Sequence, residues 1–171
     1  SFTGGGDGNQ PSPGLVLSGS TLYGTTGFGG TANYGTLFRI ETNGSGYGIL
    51  KSFLGGTNGA EPRAELVLSG TTLYGTTSGG GNTSGGTVFK INTDGSGFTV
   101  LKYFDEAISP AHPWAGLVIS GSTLFGTTPA QGYRGISGCG SVFKINTDGS
   151  DFNILKQFSG SDGPGRHAGL I

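Results

Sequence analysis

The stretch GLVLSGSTLYGTT at residues 14–26 recurs as ELVLSGTTLYGTT at residues 65–77 and as GLVISGSTLFGTT at residues 116–128. The copies start at residues 14, 65 and 116, so the repeat has a period of 51 residues. A repeat of this length is one supersecondary unit that cannot bury its apolar face alone and is stabilised by stacking on further copies. The sequence therefore predicts a repeat protein.

A second block follows each copy: GTLFRIETNGSGYGILKSF, GTVFKINTDGSGFTVLKYF and GSVFKINTDGSDFNILKQF. Short apolar and β-branched runs bounded by Gly, Ser, Asn-Gly or Asp-Gly predict strands joined by tight turns. We expect two hairpins in each copy. The first pairs residues 15–17 with 22–26 in copy one, and the second pairs residues 87–91 with 98–103 in copy two. Each unit is then a small antiparallel sheet of four strands. No segment carries the 3.6-residue apolar period of a helix.

Units of four strands and about 40 to 50 residues are typical of β-propeller blades. We therefore predict an all-β chain of β-propeller-type blades, each with four antiparallel strands. A parallel β-helix has much shorter coils, whereas a β-sandwich is not excluded by the strand count.

Residues 1–171 are interpreted as a single repeat domain, with three complete blades at approximately residues 14–64, 65–115 and 116–168. Partial blades are expected at both ends, since residues 1–2 match residues 52–53 and residues 169–171 match the start of the third copy. Closed propellers need about 4 to 8 blades. The chain is thus expected to belong to a larger propeller, completed by further blades of a longer chain or by a homo-oligomer.

The pattern LVLSGSTLYGTT, a Gly-rich spacer and GTVFKINTDGSGFTVLKYF resembles the GloVer-type tandem repeat of bacterial secreted or surface-anchored proteins. The resemblance extends over residues 2–171. It implies a propeller fold and a bacterial, secreted or cell-surface location. It lends no catalytic residue to these positions.

Composition excludes several classes of partner. The net charge is −1 and only 11% of the residues are charged, so we expect neither nucleic acid nor an anionic membrane surface. Membrane insertion is not expected, because no apolar stretch approaches the roughly 20 residues of a spanning helix. Cys139 is the single cysteine, which excludes an internal disulfide. We predict no cofactor and no metal site, because no His, Cys or Asp spacing matches zinc and the Asp-Gly turns lack the distal Glu of a calcium loop.

Apolar residues recur in register and are expected to pack blade against blade. They form seven sets of three: Leu15, Leu66 and Leu117; Leu22, Leu73 and Leu124; Tyr23, Tyr74 and Phe125; Phe38, Phe89 and Phe143; Ile40, Ile91 and Ile145; Leu50, Leu101 and Leu155; Phe53, Phe104 and Phe158. The glycines that follow the aromatic set, Gly24, Gly75 and Gly126, indicate a close backbone approach or a bulge.

The connections between hairpins differ from copy to copy, whereas the turns within hairpins are nearly identical. In a four-stranded up-and-down blade, the loop after the second strand and the connection to the next blade emerge on one face. Binding residues concentrate in such loops on a rigid scaffold. The sequence therefore predicts a noncatalytic module that binds a glycan or a protein through this variable face.

The third copy has the most distinctive loops. Its internal loop, PAQGYRGISGCG at residues 129–140, is longer than its counterparts and places an aromatic residue beside a cation. The preceding connection contributes an imidazole and an indole. Aromatic rings beside planar hydrogen-bonding groups can stack on sugars or hold a peptide. The candidate ligand-binding residues are His112, Trp114, Gln131, Tyr133 and Arg134.

Two other interpretations remain open. Trp114 aligns with Arg63 and Ser12 beside a repeated Pro, so it is equally explained as the cover of a blade junction. The near-identity of the copies also fits a structural or adhesive repeat of a bacterial surface protein. An enzyme is the third possibility. The groups available for an acid-base pair are His112, His167, Asp105 and Glu106, but no motif supplies a nucleophile, a base and an orienting group.

Overall fold

The computed structural model describes residues 3–105, 111–129 and 140–159 and consists of antiparallel sheets. Blade 1 contains β2–β5, blade 2 contains β6–β9 and blade 3 contains β10–β13, each in sequential order, so the predicted four-stranded units are confirmed. The strands are β1 (Asn9–Pro11), β2 (Val16–Ser18), β3 (Thr21–Phe28), β4 (Thr36–Glu41), β5 (Gly48–Ser52), β6 (Val67–Ser69), β7 (Thr72–Thr77), β8 (Ser84–Asn92), β9 (Thr99–Asp105), β10 (Val118–Ser120), β11 (Thr123–Thr128), β12 (Ser141–Asn146) and β13 (Asn153–Gln157).

A three-residue 3-10 turn, Gly56–Asn58, is the helical element of the described residues. The partial blades predicted at residues 1–2 and 169–171 lie outside them.

The first strand of each blade is short, and in blades 1 and 2 the preceding segment pairs with the remainder of the second strand or with the loop that follows it. β2 pairs with the first half of β3, and β1 pairs with its second half in the register Asn9↔Phe28 and Pro11↔Thr26. The connection to blade 2 repeats this contact through an antiparallel bridge between Ala60 and Gly79. The connections are therefore anchored to the sheets.

Each blade has the same irregularity between its last two strands. The register shifts between Val88 and Phe89, so that Val88 faces Lys102 while Phe89 faces Val100. One extra residue, Leu101, is thereby accommodated in the outer strand, which is the definition of a β-bulge. Corresponding shifts occur in blade 1 and in blade 3.

The blades pack face to face, as the repeated apolar positions predict. We call the face of a blade toward the preceding blade its leading face, and the opposite face its trailing face. At the first junction, the Phe53 ring of blade 1 lies edge-on to Phe89 of blade 2 at 5.3 Å between centroids, and Phe104 and Phe143 repeat this geometry at 5.3 Å. The leading face of blade 2 carries Leu66, Leu68, Leu73, Phe89, Ile91 and Phe98, and the trailing face of blade 1 carries Val16, Tyr23, Leu37, Leu50 and Phe53.

Three positions of the expected core are exposed, which corrects the prediction. Leu15 is 49% exposed although its counterparts Leu66 and Leu117 are buried, and Leu155 and Phe158 are likewise exposed. Leu15 lies on the leading face of blade 1, and the other two lie on the trailing face of blade 3. Within the described residues no further blade covers these two faces, so equal sequence positions differ in burial.

Lysine side chains also cross the junctions. Lys51 Nζ lies 4.2 Å from the centroid of the Phe98 ring, and Lys102 Nζ lies 4.3 Å from that of Phe152. Burial lowers the pKa of Lys51, in agreement with its place between two blades. A cation over an aromatic ring stabilises the folded protein by about 0.5 to 2 kcal/mol, and the larger values apply where the cation is desolvated.

The predicted turn in the second hairpin is stabilised by an aspartate. Asp94 Oδ1 accepts the Ser96 backbone N–H at 2.8 Å, and Gly95 has φ 88°. The hydrogen bonds from Ser96 lower the pKa of Asp94 from its ordinary value of 3.8, and Ser150 has the same effect on Asp148. The oxygen-rich sequence of these turns is therefore explained by turn geometry.

These turns predict a pH dependence of stability. Because the folded-state pKa values of Asp94 and Asp148 are lowered, their stabilisation is fully present above the unfolded value and is lost as the pH falls through the folded value. We expect the melting temperature of the double variant Asp94→Asn/Asp148→Asn to fall less than that of the wild type when the pH is lowered from neutral to well below 3.8. Asn43 is the natural precedent, since its Oδ1 accepts the Ser45 N–H at 2.9 Å. An equal decrease in the melting temperature of both proteins at acidic pH would contradict this assignment.

Candidate functional site

The blade-to-blade connections and the loops after the second strands lie on one face, as the sequence predicts. Glu61 N–H donates to Tyr34 O at 2.8 Å, and Gly81 N–H donates to Gly56 O at 2.7 Å. The next connection repeats the first of these contacts through His112 N–H and Gly85 O, at 2.6 Å. We call this surface the connection face; its described part comprises residues 8–12, 29–35, 54–63, 78–86 and 111–114.

One residue in each of three described connections has an unusual backbone. Gln10, Glu61 and His112 have φ of 55°, 57° and 57°, and each precedes a proline. Positive φ is uncommon for residues other than glycine, and a residue before proline prefers an extended conformation. Such backbones cost about 1 to 3 kcal/mol and persist only where the surroundings fix them. The same strained geometry thus holds an amide, a carboxylate and an imidazole at equivalent places.

Ser78, which is buried, joins two of these residues. Its backbone N–H and its hydroxyl both donate to Glu61 O, each at 3.1 Å. His112 Nδ1 lies 2.7 Å from Ser78 O, and because a carbonyl only accepts, Nδ1 carries the proton. In the neutral imidazole Nε2 is then an acceptor. A continuous set of hydrogen bonds therefore fixes the positions of Glu61 and His112 relative to each other.

Arg63 and the ring of Phe28 form a polar and aromatic patch beside Glu61. Its Nε and Nη2 donate to Glu61 Oε2 at 3.1 and 2.7 Å, and its guanidinium lies 5.1 Å from the centroid of the Phe28 ring. Both charged side chains are about a third exposed, so the ion pair adds little to stability. The pair instead holds the guanidinium in a fixed position beside the Phe28 ring.

Trp114 occupies the position equivalent to Arg63 and Ser12. It is 37% exposed, so part of the indole is accessible at the surface. Ser12 Oγ donates to Pro62 O at 2.8 Å, which links two neighbouring connections. Thr76 Oγ1 of strand β7 donates to Ala115 O at 3.3 Å, which anchors the next connection to blade 2. This position therefore varies in chemistry on a fixed backbone.

The predicted site residues separate into two groups. His112 and Trp114 lie two residues apart in one connection. Gln131, Tyr133 and Arg134, together with Cys139, lie outside the described residues.

Sequence reasoning missed Glu61, Arg63 and Ser78. The signal for the first two was available in the repeated proline at residues 11, 62 and 113, whose flanking residues differ in every copy. The role of Ser78 depends on its burial and its hydrogen bonds to two connections, which no repeat pattern encodes.

Other classes of site receive no support in residues 3–105, 111–129 and 140–159. No group of three or more His, Cys, Asp or Glu side chains in these ranges is arranged to hold a metal ion. In the same ranges, no helix is long and apolar enough to span a membrane. Of the acid-base candidates, Asp105 is the last residue of β9 and pairs in register with Ser84, whereas Glu106 and His167 lie outside the described residues.

Solved structures with a similar fold have low sequence identity. A chain of the nidogen/laminin complex aligns with TM-score 0.55 and 18% identity, over 81% of this chain and 44% of that one. A protein assigned as TolB from Agrobacterium tumefaciens aligns with TM-score 0.52 and 14% identity, over 81% of this chain and 46% of that one. The chain spans less than half the length of either, and these similarities support the β-propeller-like fold.

No curated protein sequence matches the chain. The family model described as the Gloeobacter/Verrucomicrobia repeat matches residues 1–171. This agrees with the resemblance seen in the three repeated blocks, and its description names two bacterial groups. The chain belongs to the Gloeobacter/Verrucomicrobia repeat family.

Proposed function

We propose that this protein is a noncatalytic binding module that recognises a protein ligand through its connection face. The observation that carries the proposal is the backbone shared by Gln10, Glu61 and His112, on which each copy places a different polar side chain. Strained backbone that surrounding hydrogen bonds fix is typical of functional surfaces. A rigid frame with variable side chains is also the usual arrangement of binding loops.

The composition of the patch favours protein over other ligands. Trp and Arg are the residues most enriched among those that dominate binding energy at protein interfaces. The connection face combines Trp114 with Arg63, and the latter is held by Glu61 and lies over Phe28. The similar chain from the nidogen/laminin complex belongs to a protein assembly, in accord with this ligand class.

A noncatalytic role fits the ionisable groups of the described residues. The aspartates with lowered pKa values include Asp94 and Asp148, whose shifts follow from serine hydrogen bonds within exposed turns. A displaced pKa indicates a catalytic site only where it arises in a cleft beside a specific partner.

Selection from a phage-displayed peptide library on the immobilised chain tests this function. Peptides that bind the wild type are expected to bind Trp114→Ala at least about tenfold more weakly, since truncating a central aromatic anchor costs more than about 1.4 kcal/mol. Ile154→Ala is the matched control, because Ile154 is 37% exposed, like Trp114, but lies in the outer strand β13, outside the connection face. Equal affinity for both variants, or no enrichment at all, would contradict a protein site here.

A glycan ligand is the second candidate, because an exposed indole can stack on a sugar ring. Glycans retained on an array by the wild type and lost by Trp114→Ala, without peptide enrichment, would favour it.

A structural or adhesive repeat is the third candidate, and the near-identical blade junctions favour it. For all three candidates we propose a secreted or cell-surface location, in line with the family resemblance and the low content of charged residues.

A further inference from the structure

The two end faces of the stack are apolar and match each other. Leu17, on the leading face of blade 1, is 56% exposed, and Leu155, on the trailing face of blade 3, is 51% exposed. Their counterparts in the interior, Leu68 and Leu101, are partly buried against the hydrophobic cores of the two blade junctions. The molecule thus presents one half of a blade junction at each end.

The leading face of blade 1 contains an open hollow of about 610 Å³, whose lining includes Leu15, Ile40 and Gly44. At the internal junctions a leucine of the preceding blade fills the equivalent place. A Cβ built on Gly95 would lie 3.4 Å from Leu50, whereas one built on Gly44 would meet no atom of the described residues within 4 Å. The residue that corresponds to Leu50 in blade 3 is the exposed Leu155.

The lysine contacts point to the same arrangement. Lys51 and Lys102 each lie over an aromatic ring of the next blade, at 4.2 and 4.3 Å. Their counterpart Lys156 lies 6.0 Å from the ring of Phe158 in its own blade. Tyr47 occupies the position of the aromatic acceptor on the leading face of blade 1.

We propose that the trailing face of blade 3 docks on the leading face of blade 1 of a second copy of this chain, with Leu155 in the hollow beside Gly44. The contact is head-to-tail and repeats the two junctions within the chain. Head-to-tail contacts form rings when the rotation closes. Two copies give six blades, within the range of about 4 to 8 in closed propellers, whereas three copies would give nine. For the 171-residue chain, a closed ring of two copies is therefore the expected assembly.

Light scattering coupled to size exclusion tests the pairing on the 171-residue chain itself. The wild type is expected at about twice the 17.2 kDa mass of one chain. A single-chain mass at every concentration would overturn the proposal, and it would leave the peptide-binding test of the connection face unaffected.

Charge substitutions at exposed positions separate this contact from general apolar association. Leu17→Asp and Leu155→Asp each remove one of the two faces, so each variant alone is expected at the mass of one chain. Leu54→Asp is the matched control, since Leu54 is 53% exposed but lies in a blade-to-blade connection, and it is expected to keep the dimer mass. Circular dichroism checks that all three variants remain folded; all three positions are more than half exposed. Dimers that persist in both face variants would overturn the proposal.

Mixing the two face variants tests the head-to-tail geometry. The Leu17→Asp chain retains its trailing face, and the Leu155→Asp chain retains its leading face, so an equimolar mixture has one intact junction. Sedimentation is expected to show a dimer in the mixture at high protein concentration and none in either variant alone. The dimer in the mixture has one intact junction, so it should dissociate at a higher protein concentration than the wild-type ring, which has two. No dimer in the mixture up to its solubility limit would exclude this geometry.

Discussion

Replacing Phe89 with alanine is expected to lower the free energy of unfolding by about 3 to 5 kcal/mol, the usual cost of truncating a buried phenylalanine. The ring is fully buried at the first junction. It lies 5.3 Å from Phe53 of the preceding blade and 5.7 Å from Phe98 of its own blade, measured between centroids. The substitution removes both aromatic contacts and leaves a cavity between two rigid sheets, which cannot easily collapse.

Urea denaturation of Phe89→Ala beside the control Ile154→Ala measures this effect. The control truncates an apolar residue of an outer strand that is 37% exposed, so a change of about 1 kcal/mol or less is expected there. The loss at Phe89 is a large part of the about 5 to 15 kcal/mol by which domains are stable. A loss below about 1 kcal/mol would show that the blades do not depend on this junction.

Replacing Gly75 with alanine is expected to destabilise the protein by about 3 kcal/mol, near the upper end for overpacking. A Cβ at this position would lie 2.7 Å from Phe89 Cζ and 2.8 Å from Leu66 Cδ2, so both side chains would have to move. The same close approach recurs at Gly24 and Gly126. The prediction of a close backbone approach after the repeated aromatic residue is thereby confirmed.

Gly6→Ala is the matched control for this substitution, because a Cβ at Gly6 would meet no described atom within 4 Å. Its melting temperature is expected to stay close to that of the wild type. The double variant Gly75→Ala/Phe89→Leu should cost less than the sum of its single changes, since a shorter side chain relieves the overlap. Strict additivity in urea unfolding would indicate that the added methyl group does not meet Phe89.

The strands were predictable because local signals and the repeat agree. The prediction of strands at 87–91 and 98–103 corresponds to β8 and β9, since β-branched runs and an Asp-Gly turn fix both the strands and their register. The burial of Leu15 was not predictable in this way, because it depends on a neighbouring blade and not on the residue itself. Identical sequence patterns therefore gave a correct pairing but an incorrect burial at the two end faces.

The candidate site was only partly predictable for a related reason. His112 and Trp114 were identified from their chemistry and their place in a divergent connection. The positive φ of His112 could not be inferred, because a residue before proline ordinarily prefers extended backbone. It results from long-range hydrogen bonds, such as the one from its N–H to Gly85 O. Glu61 was overlooked because its importance lies in sharing this backbone.

The β-bulge in the outer strand of every blade has a consequence for solubility. A protein built from near-identical strands risks edge-to-edge pairing between molecules, which leads to aggregation. At each outer edge the bulge interrupts the regular row of N–H and C=O groups, and a lysine, Lys51, Lys102 or Lys156, follows directly after the extra residue. Bulges and lysines are two devices by which proteins prevent strands from adding to an open edge. These edges are thus closed to amyloid-like growth, although the chain repeats the same strand sequence three times.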